Sequence, residues 1–442
     1  MISVKYIILL TLISAAAMAK NPNIIGGLNV FPAEGGVKVT AGKCAINGKV
    51  VTVPEDVVLP VKVGSRAVVC NEEVKVPVTK PNIFVAGYRI KGPYGGDINA
   101  LGSYNPGSMV LRKSPYGKPL IEGKDFVMEE NYAMLCLTED SSASPDETLY
   151  ASYSYKLVRI DSVFVTADGK VVLKEGKPEV TLANVPECPP GTLRVANIFR
   201  PYNCGKVTAD DILLPSETAA EAKTRSKKGL IPRTMAKIKS GEPVKIVCWG
   251  DSVTVGYCAT APEKRYVDLF TSMLNEKYPK ANIEVINESY SGSTTAQWVF
   301  PDEFPKETCD FEKRVISHKP DLVTMEFVND SGMSMDTVKR TYNRILERFR
   351  EEGIEWIIIT PHFIIPGWMG ADKYQCEEPR GFVHYARKLA AENNVAVADA
   401  AERWNHLKYE GIPFYTYLTN GINHPDDRGH RLFAEEMIKC FD

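Results

Sequence analysis

The hydrophobic pattern of this chain changes its period near residue 216, and that change most constrains the fold. Beyond it, short apolar runs alternate with amphipathic segments. One such segment begins after Ser334, a favourable helix N-cap, and carries apolar side chains at helical spacing. Strands that alternate with helices predict a parallel sheet covered on both faces. The predicted buried strands are 244–249, 283–287, 322–327, 356–360 and 395–398.

The first half of the chain has the pattern of β structure instead. Runs such as 161–165 are rich in β-branched and aromatic residues. Asp168-Gly169, between that run and 171–173, is typical of a tight β-hairpin. We therefore predict an all-β, sandwich-like accessory domain at 20–215, a helical linker at 216–240 and an α/β domain at 241–442.

The N-terminus has the layout of a secretory signal peptide. Lys5 precedes an apolar run at 7–16, and Ala17-Met18-Ala19 is a small-x-small cleavage pattern. The run is too short to span a bilayer, which takes about 20 apolar residues. We predict a signal peptide at 1–19, cleavage after Ala19, and a secreted or periplasmic protein without a transmembrane segment.

Charge and cysteine usage limit the partners. The net charge of −2 provides no positive electrostatic field that would attract nucleic acid or anionic membranes, so neither is expected as a partner.

The ten cysteines include no Cys-x-x-Cys pair, and we predict no metal site and no cofactor. Export would permit disulfides. By spacing alone, Cys44 with Cys70 and Cys188 with Cys204 are plausible pairs.

Candidate catalytic residues follow the predicted parallel strands, at the edge where sites of such sheets lie. Ser252 follows the first strand, Gly292 the second and Asn329 the third, and His424 opens the last helix. Each has a structural alternative when taken alone. Gly250-Asp251-Ser252 could be a common turn, Gly292 a turn glycine, Asn329 a strand-end cap and His424 a helix N-cap before Pro425.

Together these segments resemble the sequence blocks of the SGNH (GDSL-like) hydrolases, in family order. They are Gly250-Asp251-Ser252, the turn around Gly292, Val328-Asn329-Asp330 and Asn423-His424-Pro425. The resemblance covers about residues 230–442 and implies the three-layer α/β/α fold of that family. It also implies that Ser252 is the nucleophile and His424 the base. The oxyanion donors would be Ser252, Gly292 and Asn329.

Two positions depart from the family pattern. Phe327 stands where the family usually has glycine, and Gly421 stands where it usually has the aspartate that orients the histidine. The remaining candidates to orient His424 are Asn420 and Asn423 beside it and Asp399 at the end of the fifth strand. We predict an uncharged oxygen near Asn420, and so a Ser–His dyad.

The sequence leads to a hypothesis of function. We predict a secreted serine esterase that hydrolyses acyl esters, with acetylated carbohydrate or another small ester as its partner. A lipase or thioesterase of the same fold, or a non-catalytic glycan-binding protein, is the alternative. His362 follows the fourth strand and is a candidate to contact substrate. The segment from about Ser216 onward is expected to have its own core and to act alone on small esters. The sequence leaves the oligomeric state open.

Overall fold

The computed structural model describes residues 21–80, 87–202, 204–222, 226 and 229–442. The predicted signal peptide lies outside these residues. Within them, no helix is both long enough and apolar enough to cross a membrane.

The first half folds into antiparallel β sheets. The 163–165 and 171–173 segments pair as predicted, with Phe164 opposite Val172, so the Asp168-Gly169 hairpin is confirmed. The sheets have the orders β1-β4-β5, β2-β3-β6, β7-β12-β9, β10-β11-β8 and β14-β13-β15-β16. Their strands are β1 (Ile24–Gly27), β2 (Val30–Ala33), β3 (Gly36–Val39), β4 (Gly42–Ile46), β5 (Lys49–Val53), β6 (Val57–Pro60), β7 (Ser65–Val74), β8 (Tyr88–Arg89), β9 (Val110–Arg112), β10 (Phe126–Glu129), β11 (Met134–Leu137), β12 (Leu149–Leu157), β13 (Arg159–Thr166), β14 (Val171–Lys174), β15 (Thr192–Arg200) and β16 (Ile212–Leu213).

The second half is built on a five-stranded parallel sheet, as predicted. Its order is β18-β17-β19-β20-β21, with β17 (Pro243–Gly250), β18 (Asn282–Ser289), β19 (Leu322–Glu326), β20 (Glu355–Ile359) and β21 (Ala396–Ala398). The α-helices are α1 (Pro232–Ser240), α2 (Ser252–Val255), α3 (Tyr266–Lys277), α4 (Thr295–Val299), α5 (Phe311–Arg314), α6 (Met335–Glu352), α7 (Pro366–Met369), α8 (Gly381–Asn393), α9 (Ala400–His406) and α10 (Asp427–Ile438). Ser334 caps α6 by accepting a hydrogen bond from the Thr337 N–H, as its sequence predicts.

The strand order explains the two helical layers. From β17 the chain moves to one side to form β18, and it then crosses over to form β19, β20 and β21 on the other side. Because such crossovers are right-handed, reversing their direction puts the helices on opposite faces. Helix α3 accordingly packs with α10, whereas α6 packs with α4 and α8. The reversal occurs at β17, where α/β sheets form their binding crevice.

The largest apolar core is shared by the two halves. Phe199 and Leu213 of the first half belong to the same buried cluster as Trp404 and Tyr415 of the second. The Phe199 and Tyr415 rings have centroids 5.9 Å apart. The expectation of a separate core beyond Ser216 was therefore wrong, because strand–helix alternation reports local structure and not what packs against it.

The predicted disulfides are not formed. Cys44, Cys70, Cys188 and Cys204 are free thiols. Cys44 is buried in its sheet whereas Cys70 is exposed, and the exposed Cys188 contacts Thr192 rather than Cys204. Spacing in sequence does not reveal which way a strand side chain faces.

Candidate active site

Ser252 lies at the carboxyl end of β17, after a turn that only glycine allows. A Cβ on Gly250 would lie 2.4 Å from the Glu326 carbonyl oxygen and 1.9 Å from Thr254 Oγ1. Asp251 caps α2 by accepting a hydrogen bond of 3.0 Å from the Val253 N–H. Ser252 is the first residue of α2, where backbone N–H groups have no acceptor within the helix.

His424 reaches Ser252 from the loop before α10. Its Nε2 lies 2.9 Å from Ser252 Oγ, although the two residues are 172 positions apart. The Tyr257 ring stacks on the imidazole, with centroids 5.3 Å apart and an interplanar angle of 24°. The structure thus brings together the two residues that the sequence predicted as nucleophile and base.

The other ring nitrogen of His424 meets a carboxylate from the first half of the chain. His424 Nδ1 lies 2.6 Å from Asp97 Oδ2, across 327 positions of sequence. Burial raises the pKa of Asp97, but the hydrogen bond and charge of His424, with donors from Ile98 and Cys258, leave that pKa below its ordinary value. Ser252, His424 and Asp97 therefore form one continuous hydrogen-bonded chain.

The expectation of an uncharged oxygen and a Ser–His dyad was wrong. Asn420 turns its side-chain oxygen away from the ring, to the backbone N–H groups of residues 422–424. Its amide nitrogen lies 3.2 Å from His424 Nδ1. At Gly421 φ is 65°, and a Cβ would lie 2.4 Å from the Tyr415 hydroxyl. A side chain is excluded there, so the carboxylate has to come from elsewhere.

The other two candidates to orient His424 make different contacts. The Asn423 side-chain oxygen accepts a hydrogen bond from Asn420. The Asp399 carboxylate pairs with Arg387, at 2.8 and 2.9 Å, and accepts a hydrogen bond from the Thr360 hydroxyl. Asp399 also caps α9. It therefore stabilises the end of β21.

A loop of residues 93–100, here called the Asp97 loop, presents the carboxylate. It is closed by backbone hydrogen bonds from Gly95 to Ile98, at 2.8 Å, and from Ala100 to Pro93, at 2.9 Å. A Cβ on Gly96 would lie 2.7 Å from Thr419 Cγ2, so the two loops touch closely.

Apolar contacts hold the Asp97 loop in place. Ile98 packs on a small cluster in which Ile422 of the second half meets Tyr132 and Met134 of the first. The loop that carries Asp97 thus packs against residues of both halves of the chain.

The two remaining oxyanion candidates lie at neighbouring strand ends. Gly292 is in the turn after β18, with φ of 65°. The Asn329 backbone and side-chain amides both donate to Asp251 Oδ2, at 3.1 and 2.9 Å. A carboxamide has two N–H donors, so one remains for another acceptor.

His362 does not face a cleft, contrary to the prediction. Its side chain is fully buried against Trp404 and Phe433. Burial lowers its pKa well below the ordinary value, and the charge of Arg380 adds to this. His362 Nε2 lies 2.8 Å from the Asn423 carbonyl oxygen. It therefore supports the loop that carries His424.

Three carboxyl groups are buried beneath Ser252. Burial raises the pKa of Asp251 to about 6, that of Asp330 to about 7, and that of Glu326 well above its ordinary value. Asp330 accepts hydrogen bonds from Thr295 and Tyr342. Burial at the floor of the site thus disfavours the charged form of these carboxyl groups.

Two residues beside His424 were not identified from the sequence. Asp97 follows Tyr94-Gly95-Gly96, a pattern of an ordinary surface turn. Cys258 lies in the turn after α2, and its ligand atom lies within 4.8 Å of those of Asp97 and His424. Burial raises the pKa of its thiol, as does Asp97. The sequence contains only indirect evidence for Asp97. Gly421 stands where the family usually has aspartate, so a carboxylate that contacts His424 would have to come from elsewhere.

Known proteins resemble the second half of the chain. Residues 248–432 match the model of the GDSL-like lipase/acylhydrolase family. No curated protein matches the chain. A solved two-domain esterase active on acetylated mannans, co-crystallized with mannopentaose, is 20% identical with a TM-score of 0.39. That match covers 49% of this chain and 54% of the esterase, about half of its length.

Two smaller solved esterases are similar over nearly their whole length. The acetyl xylan esterase AlAXEase is 22% identical with a TM-score of 0.35, over 44% of this chain and 98% of its own. Axe2, an acetylxylan esterase from Geobacillus stearothermophilus, is 23% identical with a TM-score of 0.36, over 46% of this chain and 94% of its own. From the family match and the parallel sheet that carries it, residues 248–432 form a GDSL-like lipase/acylhydrolase domain.

Proposed function

We propose that the protein is a serine esterase that removes acyl groups, acetyl above all, from carbohydrate outside the cytoplasm. The observation that carries this proposal is the hydrogen-bonded chain from Ser252 Oγ through His424 to Asp97. A hydroxyl, an imidazole and a carboxylate in this order are the groups that nucleophilic acyl transfer requires.

In the proposed reaction, Ser252 Oγ attacks the ester carbonyl carbon while its proton moves to His424 Nε2. The Asp97 carboxylate holds the proton on Nδ1 and stabilises the imidazolium that forms. His424 then gives the proton to the departing alcohol, which leaves an acyl group on Ser252. A water molecule, deprotonated by His424, attacks that acyl group and releases the acid.

Three N–H groups are suited to stabilise the tetrahedral oxyanion. They are the Ser252 and Gly292 backbone N–H groups and the free amide hydrogen of Asn329. The two hydrogen bonds from Asn329 to Asp251 hold that amide in a fixed orientation. Preorganised donors of this kind need no rearrangement when charge develops.

Exposed aromatic rings near His424 support a sugar substrate. Tyr257 stacks on the imidazole and is 41% exposed, and Tyr94 of the Asp97 loop is 49% exposed. Trp368, on α7, is 46% exposed. The residue before α7, Ile365, donates a backbone hydrogen bond of 2.7 Å to Ile422, beside His424. Such rings combine an apolar face with a hydrated edge and suit sugar faces.

Labelling with a fluorophosphonate probe, read by mass spectrometry, tests the nucleophile. We expect the label on Ser252, and no label and about a 10⁴-fold or greater loss of turnover in Ser252→Ala. An unlabelled, folded wild-type protein would leave a non-catalytic glycan-binding protein as the better description.

Acetate release from acetylated mannan and acetylated xylan, the substrates of the similar solved esterases, tests the substrate class. We expect release from at least one polysaccharide and little hydrolysis of long-chain fatty acyl esters or acyl thioesters. Hydrolysis confined to those lipid substrates would instead identify a lipase or thioesterase.

A further inference from the structure

A thiol lies beside the Asp97–His424 pair. The Cys258 sulfur, a carboxylate oxygen of Asp97 and a ring nitrogen of His424 all lie within 4.8 Å of one another. Burial raises the pKa of the Cys258 thiol, and the neighbouring Asp97 carboxylate raises it further. In the part of the chain that the structure describes, no other three His, Cys, Asp or Glu side chains meet in this way.

The three side chains come from three separate segments. Asp97 comes from the Asp97 loop, Cys258 from the turn after α2, and His424 from the loop before α10. Cys258 has a φ of 65°, a conformation that a non-glycine residue adopts only where its surroundings determine it. The fold therefore sets the position of the thiol beside the pair.

These are the ligand types that zinc takes in proteins. Zn²⁺ binds thiolate, imidazole and carboxylate at about 2.0–2.3 Å with tetrahedral geometry. Bonds of that length place ligand atoms about 3.3–3.8 Å apart, which the cluster can provide after small side-chain rotations. The Asp97 side chain is 21% and the His424 side chain 11% exposed, so an ion can enter from solvent. Water would complete the tetrahedron.

We propose that Asp97, Cys258 and His424 form a Zn²⁺ site whose occupation stops ester hydrolysis. Zn²⁺ on Nδ1 of the neutral imidazole forces the remaining ring proton onto Nε2. Nε2 can then no longer accept the proton of Ser252. The Cys258 thiol releases its proton to solvent as its sulfur binds the metal. The inhibitory step rests on the proposed function, whereas the metal site does not.

Cobalt binding tests the site without any substrate. Co²⁺ is added to the metal-free full chain, and the near-ultraviolet thiolate-to-cobalt absorption is recorded. We expect one equivalent of this absorption in the wild type and its displacement by one equivalent of Zn²⁺. In Cys258→Ser the absorption should be lost and the Zn²⁺ affinity should fall at least about tenfold. Cys70→Ser, which removes an exposed thiol in the first half, should behave as the wild type.

A second variant guards against misfolding of Cys258→Ser. Asp97→Asn keeps the thiol and should keep the absorption, with weaker binding. Absence of the absorption from the wild type, or its loss in Cys70→Ser but not in Cys258→Ser, overturns the site.

An activity measurement separates the two proposals. Zn²⁺ at full occupancy should abolish ester hydrolysis, and a chelator should restore it. Full activity of the zinc-loaded protein overturns the inhibitory step. If no preparation hydrolyses any ester but the cobalt absorption is present, the esterase function fails while the metal site stands.

Discussion

The two halves of the chain contribute to the candidate site in different ways. The second half places Ser252, Gly292 and Asn329 at the ends of three neighbouring strands, and its last loop adds His424. The first half contributes the Asp97 loop, whose carboxylate lies 2.6 Å from His424 Nδ1. A parallel sheet gathers residues from distant parts of the sequence at one edge. The loop depends instead on how the two halves pack.

From this difference we expect the first half to have a more direct role than an accessory domain would have. The Asp97 loop touches Thr419 and Asn420 closely, and Ile98 packs beside Ile422. A module that only binds polymer could be removed without affecting hydrolysis of a small ester. We expect that removing a module that supplies the Asp97 carboxylate would impair this hydrolysis.

Substitution of Asp97 gives the largest effect that distinguishes these roles. Asp97→Asn should lower kcat on a small soluble ester by about 10³–10⁴-fold, because a neutral amide neither fixes the tautomer of His424 nor stabilises the imidazolium. Asp168→Asn, which changes an exposed carboxylate of the same half, should leave kcat unchanged. If Asp97→Asn has the kinetics of the wild type, the Asp97 carboxylate is not needed for hydrolysis and the first half is only an accessory domain.

Asn329→Ala tests a residue that belongs to the second half alone. The loss of one oxyanion donor should lower kcat by about 10²–10³-fold and leave KM nearly unchanged. Asn329→Asp is a matched variant that keeps the size of the side chain but removes both amide hydrogens, and it should be at least as damaging. If kcat is unaffected in both, Asn329 does not stabilise the oxyanion.

Gly96→Ala tests whether the position of the Asp97 loop against Thr419 affects kcat. Its Cβ would press on Thr419, so the loop should shift and kcat should fall by about tenfold, in line with the cost of small misplacements. Gly107→Ala is a matched control, since Gly107 also has a positive φ but nothing lies within 4 Å of its Cβ position. Equal losses in the two variants would indicate backbone strain rather than the position of the loop.

The smallest expected effect concerns stability beneath the site. Because the pKa of Asp330 is raised to about 7, the folded state holds a proton that the unfolded chain releases near pH 4. The stability contributed by this group is therefore complete at low pH and is lost as the pH rises towards 7.

Asp330→Asn removes this dependence, since Thr295 and Tyr342 can accept hydrogen bonds from an amide. Relative to the wild type, the variant should gain about 2 kcal/mol in the free energy of unfolding between pH 5 and pH 8. Urea unfolding at the two pH values measures it, with Glu347→Gln on the exposed face of α6 as the control. The same pH dependence in Asp330→Asn and wild type would mean that Asp330 is already ionised at pH 5.

Local patterns predicted the parallel sheet and its polar edge correctly. The five strands and the N-cap at Ser334 lie where the sequence placed them, because hydrophobic periodicity and capping are local properties. The prediction for His362 failed, since following a strand on the active edge does not reveal burial.

The sequence by itself determined the α/β half, the antiparallel character of the first half and the positions of Ser252 and His424. Only the tertiary structure decided what meets His424 Nδ1. Gly421 excludes a side chain at the position of the expected carboxylate, and Asp97 enters from 327 positions away. Nothing within a few residues of Asp97 distinguishes it from an ordinary turn aspartate. Its role depends on how the shared core docks one half of the chain on the other, and that packing leaves no local pattern.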